Sequence, residues 1–421
     1  MYMYSTYIMD AVARKIFNSR GNETVEVEII TENGFGRAAV PAGASTGKHE
    51  VAVFPSGGID YAIKMFYDKV LPEIVGLDAT AQREIDSKLH EIDGTERLEN
   101  LGGAIILATS LATAKAAASS LALELFEYLG GSMAYELPYP LGNVLGGGKH
   151  SKGVAQDIQE ILVLPVGATN IFDAIKANVT VHRYLPRYIK EVDPNFAGGK
   201  NDEGAWTANL SNEDALKIVV KACEEVEKES GIKVRVGIDV AASSLWDENK
   251  GKYVYTREGV ERTPEEQYEY ISRLIEEYNL IYVEDPFHEE DFENFAKLTK
   301  EFRGRVMIVG DDLFTTNVKR LSEGAKVGAA NAIIIKPNQI GTLTDTYETI
   351  EFAKQNDYIP VMSHRSGETE DTTIAHLAVA FRCPIIKTGT VNGERIAKLN
   401  ELIRISEYIG EAARMAKIRI R

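Results

Sequence analysis

The stretch Leu280-Ile-Tyr-Val-Glu-Asp-Pro286 shows the pattern that decides the fold of this chain. A short apolar run ends in an acidic residue, and a turn-forming proline follows it. The pattern returns in Val306-Met-Ile-Val-Gly-Asp-Asp312 and in Ala332-Ile-Ile-Ile-Lys-Pro337. Runs of this kind are typical of fully buried β-strands, and the polar residue marks the point where each strand leaves the core.

Similar runs, each followed by an amphipathic stretch, recur at residues 161–164, 234–238, 280–283, 306–309, 332–335, 358–362 and 384–386. Six of them close on an ionisable residue: Asp239, Glu284, Asp311, Lys336, His364 and Lys387. Strands that alternate with helices predict a parallel α/β fold, either an open doubly wound sheet or a closed barrel. Ionisable residues at successive strand ends favour the barrel, because an open sheet concentrates its ligand at one switch point. Residues 246–255 are interpreted as an exposed hairpin insertion.

The first part of the chain has a different pattern of apolar and polar residues. Residues 25–30 alternate apolar with acidic side chains, as in a half-buried antiparallel strand, and residues 31–36 carry a hairpin turn signal. An Ala- and Leu-rich stretch from Leu101 to Leu129 predicts one or two packed helices. We therefore expect a small α+β domain over residues 1–135 and a closed, TIM-like barrel over residues 136–421.

Composition limits the classes of partner. The chain has 421 residues and a formal net charge of -16, which disfavours nucleic acid and anionic membrane surfaces as partners. The two cysteines, Cys223 and Cys383, lack the spacing of a zinc site. The first residues do not match a secretory signal, and no apolar run approaches the roughly 20 residues of a membrane span. We expect a cytoplasmic protein with no membrane span.

Three of the strand-closing residues are carboxylates, namely Asp239, Glu284 and Asp311. Convergent oxygen ligands without sulfur or nitrogen predict magnesium, with manganese as a substitute. Lys336 is either a structural partner of these carboxylates or a base whose proton affinity is lowered by nearby cations. A metal ion beside a lysine base suits proton abstraction next to a carboxylate.

Two glycine-rich loops flank the predicted site. Residues 43–48 resemble a P-loop only superficially, because the spacing of the glycines and the residue after Lys48 do not fit. Residues 146–153 precede the first predicted barrel strand. Each loop is either a lid that excludes water or a plain flexible connection.

Taken together, the motifs of this chain resemble the enolase family, the phosphopyruvate hydratases of glycolysis. The matching motifs are Ser19-Arg-Gly-Asn22, Gly43-Ala-Ser-Thr-Gly47, Asp239-Val-Ala-Ala-Ser243, Glu284-Asp-Pro-Phe287, Gly310-Asp-Asp-Leu313, Lys336-Pro-Asn-Gln-Ile-Gly341, Ser363-His-Arg-Ser-Gly-Glu-Thr369 and Lys387-Thr-Gly389. The resemblance implies a small α+β domain followed by a barrel that opens β-β-α-α before six βα units. It also implies a lyase of glycolysis and gluconeogenesis that interconverts 2-phosphoglycerate and phosphoenolpyruvate.

The resemblance assigns a role to each site residue. Lys336 would accept the proton from carbon 2 of the substrate, and Glu203 would protonate the departing hydroxyl. Two magnesium ions are implied, with ligands from Asp239, Glu284, Asp311 and Ser45. The implied substrate-binding residues are Gln159, Glu160, His150, His364, Arg365, Ser366 and Lys387. Arg365 and Ser366 would hold the phosphate, and Lys387 the substrate carboxylate.

The resemblance further implies a homodimer or a higher oligomer of dimers, and enolases also occur at the cell surface without a signal peptide. The sequence departs from the family pattern at Asn201, Ala205 and Trp206 around Glu203, and it has one extra residue between His150 and Glu160. Two alternatives remain open at this point. One is another acid dehydratase or racemase of the same superfamily, and the other is a non-catalytic protein with the same scaffold.

Overall fold

The computed structural model describes residues 5–43, 47–151 and 155–420, apart from the side chain of residue 150. The N-terminal part begins with an antiparallel meander of strands β1 (Ile8–Phe17), β2 (Glu23–Thr31) and β3 (Phe35–Ala39). Val25, Val27 and Ile29 of β2 are fully buried, so the alternating stretch forms the half-buried strand that its pattern predicts. The predicted turn joins β2 to β3, where Thr31 and Gly34 bond to each other.

Helices cover this sheet. They are α1 (Gly58–Met65), α2 (Leu71–Ile74), α3 (Gln82–Asp93), α4 (Gly103–Ser120) and α5 (Leu125–Gly130), with a π-helical turn at Phe66–Val70. Nearly every residue of α4 is buried, as expected for a helix that is apolar on all sides. The backbone of α4 lies directly against Gly36 of β3, where a side-chain methyl group would come within 2.1 Å of the Ala112 carbonyl oxygen. The helices predicted between residues 101 and 129 are confirmed.

The strands of the second part are, in chain order, β4 (Glu136–Leu137), β5 (Tyr139–Gly146), β6 (Glu160–Leu164), β7 (Arg235–Asp239), β8 (Trp246–Asp247), β9 (Lys252–Tyr255), β10 (Val260–Arg262), β11 (Tyr282–Glu284), β12 (Met307–Gly310), β13 (Ala332–Ile335), β14 (Ile359–Ser363), β15 (Ile385–Lys387) and β16 (Arg414–Met415). Eight of the described strands close into a barrel in the order β5-β6-β7-β11-β12-β13-β14-β15. The predicted barrel and the preceding α+β domain are confirmed. The boundary at residue 135 stays a prediction; it lies in the segment that joins α5 to β4.

The barrel opens differently from the parallel run that periodicity alone predicts. Its first strand is β5, which lies before the glycine-rich loop rather than after it. Strand β6 pairs antiparallel with both β5 and β7, whereas the other neighbouring pairs in the barrel are parallel. Residues 139–146 contain a proline and two glycines, so they lack the run of β-branched residues that identifies the other strands. Expecting residues 161–164 to be the first, parallel barrel strand was therefore wrong.

The helices of the second part are α6 (Ile171–Val192), α7 (Asn212–Ser230), α8 (Pro264–Tyr278), α9 (Phe292–Glu301), α10 (Val318–Val327), α11 (Leu343–Gln355), α12 (Thr373–Ala380) and α13 (Gly393–Ile409). Short 3₁₀ turns occupy Gly148–His150, Ala242–Ser244, Pro337–Gln339 and Gly410–Ala412. Because α6 and α7 follow β5 and β6, the barrel has the β-β-α-α opening that the resemblance implies. None of the helices in the described part of the chain combines the length and apolar character needed to cross a bilayer.

In the insertion after β7, residues 246–255 form the predicted hairpin of β8 and β9, and β10 extends it to a three-stranded antiparallel sheet. It is also less exposed than expected, since Tyr253 and Tyr255 are fully buried. The Tyr255 hydroxyl donates to Gln267 of α8, which anchors the insertion on the barrel. The hairpin is therefore confirmed, whereas its expected exposure was wrong.

Candidate active site

The alternation of side chains along each strand places the ionisable residues over the barrel interior. The interior is filled by Ala332 and Ile334 of β13 and their counterparts on other strands, whereas Ile333 and Ile335 face the helices. Lys336 continues the inward series of β13. Tyr282, Val309 and Ile385 also face the barrel interior. Glu284, Asp311 and Lys387 each follow one of them by two residues, so these side chains lie over the interior as well. Since β6 runs antiparallel, its first residue, Glu160, reaches the same rim.

These strand ends surround a cavity of about 290 Å³. Ten of the predicted site residues line it: Gln159, Glu160, Glu203, Asp239, Asp311, Lys336, His364, Arg365, Ser366 and Lys387. Glu284 is fully buried beneath them. Ser45 lies outside the described residues, and so does the side chain of His150. The structure therefore brings together in one cavity residues that span more than half the sequence.

A larger cleft of about 900 Å³ lies where the two domains meet. Its charged side chains are engaged with each other across the interface, as in Arg83–Glu348 and His90–Asp345. The smaller cavity is instead lined by buried charges that converge on its interior. Convergent polar groups distinguish a reaction site from a gap between domains, so chemistry belongs to the smaller cavity.

Lys387 lies at the centre of three buried carboxylates. Its ammonium nitrogen lies 3.0 Å from Glu160, 3.1 Å from Asp239 and 2.8 Å from Glu284. The Tyr282 hydroxyl donates to Glu284 over 2.6 Å. Burial opposes the charged form of Lys387, but the attraction of Asp239 and its neighbours outweighs it and raises the lysine pKa well above its usual value.

Asp311 pairs with Lys336 on the neighbouring strand, and Gln339 donates to the other carboxylate oxygen over 3.3 Å. Burial disfavours ionisation of Asp311, yet the ammonium of Lys336 outweighs it, so the aspartate pKa is lowered. Burial likewise disfavours the charged lysine, but Asp311 raises the pKa of Lys336 above its usual value. In this state Lys336 is a protonated partner of the carboxylates.

The donor set at this rim fits a hard divalent cation. Burial and then the charge of Asp239 raise the pKa of Glu284 to about 8, so the carboxylates are crowded and need positive charge. Among the described residues, the tightest all-carboxylate group is Asp285, Asp311 and Asp312, whose ligand oxygens lie within 4.8 Å of one another. Asp285, however, accepts the backbone N–H groups of Asp311 and Asp312, which makes it a turn residue. Asp239 and Glu284 are held by Lys387 rather than grouped with these aspartates, so Asp239, Glu284 and Asp311 as the metal ligands stay a prediction.

Glu203 points into the cavity from a loop that Asn201 shapes. The Asn201 side-chain oxygen accepts the N–H groups of both Glu203 and Ala205 over 3.0 Å, which closes a tight turn. Asn143 donates to the Glu203 carboxylate over 3.0 Å. Asn201 and Ala205, which depart from the family pattern, thus lie with Glu203 in a defined turn.

Trp206 and His182 anchor the same loop from behind. The two rings stack with centroids 4.8 Å apart, and the Trp206 ring N–H donates to the His182 carbonyl over 2.7 Å. The Nε2–H of His182 donates to the Gly204 carbonyl over 2.8 Å. Burial first, and then the charge of Lys200, lowers the pKa of His182 to about 4. A neutral histidine therefore supports the Glu203 loop.

Arg365 and Ser366 form the other wall of the cavity. Arg365 bonds to Glu50 and to Asn338, and both Arg365 and Ser366 are buried. Among the described residues, the buried Ser366 hydroxyl has no hydrogen-bond partner. An unpaired buried hydroxyl beside a guanidinium is suited to binding an anionic group of a ligand.

Several residues at this site were not among the predicted site residues. Glu50, Asn143, Asn338, Gln339 and Arg395 bond to the predicted residues across large sequence separations. Gln339 and Asn338 lie in the quoted motif that begins at Lys336, so the motif itself was a usable signal for these two. Glu394-Arg395 also keeps the family pattern and was interpreted as part of a subunit interface, whereas Arg395 contacts the site residue His364. Glu50 and Asn143 are polar residues in ordinary surroundings along the chain.

Comparison with known proteins agrees with this fold. Family models described as the enolase N-terminal domain and the enolase C-terminal TIM barrel domain match residues 8–129 and 134–421. The chain is 58% identical over 402 residues to an enolase of Methanothermobacter thermautotrophicus, covering 96% of this chain and 97% of that protein. It is 54% identical over 419 residues to an enolase of Pyrobaculum aerophilum, covering 98% and 99%. The chain therefore belongs to the enolase family of lyases.

Proposed function

We propose that the protein catalyses the reversible, magnesium-dependent dehydration of 2-phosphoglycerate to phosphoenolpyruvate. One observation carries the proposal: a carboxyl group, Glu203, and an amine, Lys336, both line the same buried cavity. Elimination of water needs a base at the carbon that loses its proton and an acid at the hydroxyl that departs. Family membership supports the same reaction class.

In the proposed reaction Lys336 takes the proton from carbon 2, and the electron pair of that bond forms the carbon–carbon double bond. Glu203 gives its proton to the hydroxyl on carbon 3, which leaves as water with the electrons of the broken carbon–oxygen bond. Burial first, and then the negative charge of Glu203, raises the pKa of neighbouring Glu160. A carboxyl group with a raised pKa therefore lies next to Glu203, the proposed acid.

Asp239, Glu284 and Asp311 are proposed to hold one magnesium ion, and Ser45 to contribute to a second; manganese is a substitute. Bound magnesium would supply positive charge where negative charge develops on the substrate carboxylate. With Asp311 engaged as a metal ligand, Lys336 would lose the partner that raises its pKa, which would suit it to act as a base. The pairing of Lys336 with Asp311 is accordingly a resting arrangement.

The remaining wall residues bind the substrate in this proposal. Arg365 and the unpaired Ser366 hydroxyl receive the phosphate, and Lys387 attracts the carboxylate. The proposed enclosure of the substrate also includes Gln159, Glu160, His150 and His364. Excluding water around these charges strengthens every electrostatic contact with the substrate.

The test is an ultraviolet assay for phosphoenolpyruvate with 2-phosphoglycerate, run with magnesium and with a chelator. The variants are Lys336→Ala, Glu203→Gln and, as a control, Lys326→Ala on the exposed side of α10. Each site variant should lose roughly 100-fold or more in turnover. The chelator should abolish activity, and the control should match the wild type.

A second readout separates the two roles. Exchange of the carbon 2 proton in deuterated water needs only the base, so Glu203→Gln should still exchange it while forming little product. Lys336→Ala should do neither. Unchanged turnover in folded Lys336→Ala, or full activity without divalent metal, would contradict the proposal. Activity towards another hydroxy acid alone would indicate a different reaction of the same superfamily.

A further inference from the structure

Arg395, near the start of α13, has a fully buried guanidinium that reaches two parts of the proposed active site. One terminal nitrogen donates to His364 Nδ1 over 2.8 Å and to the Arg365 carbonyl over 2.6 Å. The other donates to the Ser366 carbonyl over 2.8 Å and to the Asp202 carbonyl over 3.3 Å. A single side chain thus joins the phosphate-binding wall to the loop of Glu203.

The contact with His364 determines where the imidazole proton lies. A guanidinium only donates hydrogen bonds, so Nδ1 of His364 has to accept. A neutral imidazole then carries its proton on Nε2. Burial lowers the pKa of His364 well below its usual value, which agrees with a neutral ring.

The Nε2 of His364 faces the acid side of the cavity. It lies 3.6 Å from a carboxylate oxygen of Glu203 and has no hydrogen-bond partner among the described residues. An N–H group at this distance can donate to Glu203 after a small approach of the two side chains. The opposite tautomer would have only a lone pair at Nε2 and could not donate to Glu203.

We propose that Arg395 is a positioning residue that holds His364 as its Nε2–H tautomer and thereby orients the Glu203 carboxyl group. The proposal rests on the function proposed above for the kinetic role of Glu203. The tautomer itself is a property of the resting protein, so it is measured without turnover.

The first experiment determines the tautomer. Long-range proton–nitrogen NMR spectra of protein labelled with ¹⁵N-histidine distinguish the two neutral forms and the charged form. The chain has only 7 histidines, and the spectrum of His364→Gln identifies the His364 signals by their absence. We expect the Nε2–H form in wild type at neutral pH. A wild-type ring protonated on Nδ1 would overturn the proposal.

The second experiment links the tautomer to catalysis through Arg395→Lys, which keeps the charge but loses the two-sided donor geometry. We expect a mixture of His364 tautomers and at least a tenfold lower kcat, with carbon 2 proton exchange at saturating substrate within threefold of wild type. The matched control is Arg404→Lys on the exposed face of the same helix, which should leave all three readouts unchanged.

A loss of exchange and dehydration in equal proportion would indicate a general structural role and overturn the proposal. An unchanged tautomer together with unchanged kcat would overturn it as well. If wild type dehydrates no 2-phosphoglycerate, the proposed function fails, while the NMR experiment still decides the tautomer.

Two further variants keep the proposal falsifiable if Arg395→Lys does not fold. His364→Gln places an amide N–H at the ε position, where it can donate to Glu203, whereas His364→Asn reaches only the δ position towards Arg395. We expect His364→Gln to retain at least tenfold more activity than His364→Asn. Equal activities of the two variants would overturn the orienting role of the ε N–H.

Discussion

The carboxylate of Glu50 and the guanidinium of Arg365 face each other in a two-point ion pair, with nitrogen–oxygen distances of 3.1 and 3.2 Å. Glu50 belongs to the N-terminal domain and Arg365 to the barrel, and both are buried. The same carboxylate accepts the backbone N–H of Gly47 over 2.9 Å. This contact therefore ties the small domain to the proposed phosphate-binding wall.

Glu50→Gln should destabilise the protein strongly. Removing one partner leaves a buried guanidinium without its counter-charge, which typically costs about 3–5 kcal/mol in the free energy of unfolding. Chemical denaturation measures the loss. The control is Glu96→Gln, which removes another charge pair between the domains, with Lys319, but one whose side chains are each 79% exposed. That change should cost at most about 1 kcal/mol, and equal costs at the two sites would contradict the expectation.

The acid sensitivity of folding should depend on His182. The pKa of His182 is about 4 in the folded protein, against the usual 6.5. Between these pH values the unfolded chain therefore binds a proton at His182 that the folded chain does not bind. Its contribution to stability is complete above about pH 6.5 and is lost as the pH falls towards 4, by about 3 kcal/mol. His182→Gln keeps an N–H for the Gly204 carbonyl but does not titrate. The free energy of unfolding should therefore change less with pH across this range in the variant than in wild type. An equal change in the two proteins would show that His182 does not titrate as described.

His90 should have the opposite dependence on pH. Its ring bonds to Asp345 across the domain interface over 2.8 Å, and this bond raises the pKa of His90 above 6.5. The gain in stability is complete below about pH 6.5 and disappears as the pH rises through the folded-state pKa. Wild type should exceed His90→Gln in stability at about pH 5 by more than at about pH 9. A margin that grows with pH would refute this assignment.

Gly36→Ala should disrupt the packing of α4 on the N-terminal sheet. The added methyl group would lie 2.1 Å from the Ala112 carbonyl oxygen and 2.3 Å from the Ala116 nitrogen, so the helix would have to move. We expect a loss of about 1–3 kcal/mol or more in urea unfolding. Gly393→Ala is the control, because, in the described part of the chain, no atom beyond its chain neighbours and the adjoining backbone of its own helix lies within 4 Å of the added methyl group. A loss at Gly393 as large as that at Gly36 would argue against close packing as the cause.

Much of the barrel could be predicted because its signal is local. In the run that ends at Lys336, every second residue faces the barrel interior, so the run itself decides on which face the lysine emerges. The same holds for Glu284 and Asp311. The strand β5 escaped prediction because its proline and glycines hide the strand pattern, and the direction of β6 cannot be read from a short apolar run.

By itself, the sequence determined the α/β barrel class, the ring of ionisable strand ends and the family motifs. Only the tertiary structure decided which charges meet. Lys387 lies among Glu160, Asp239 and Glu284, and Arg395 bonds to His364. Periodicity depends on neighbouring residues in one strand or helix, whereas these contacts form only when barrel closure brings distant segments to one rim. The choice of partners also depends on burial, because charges removed from water must be matched by whatever counter-charge the fold places beside them.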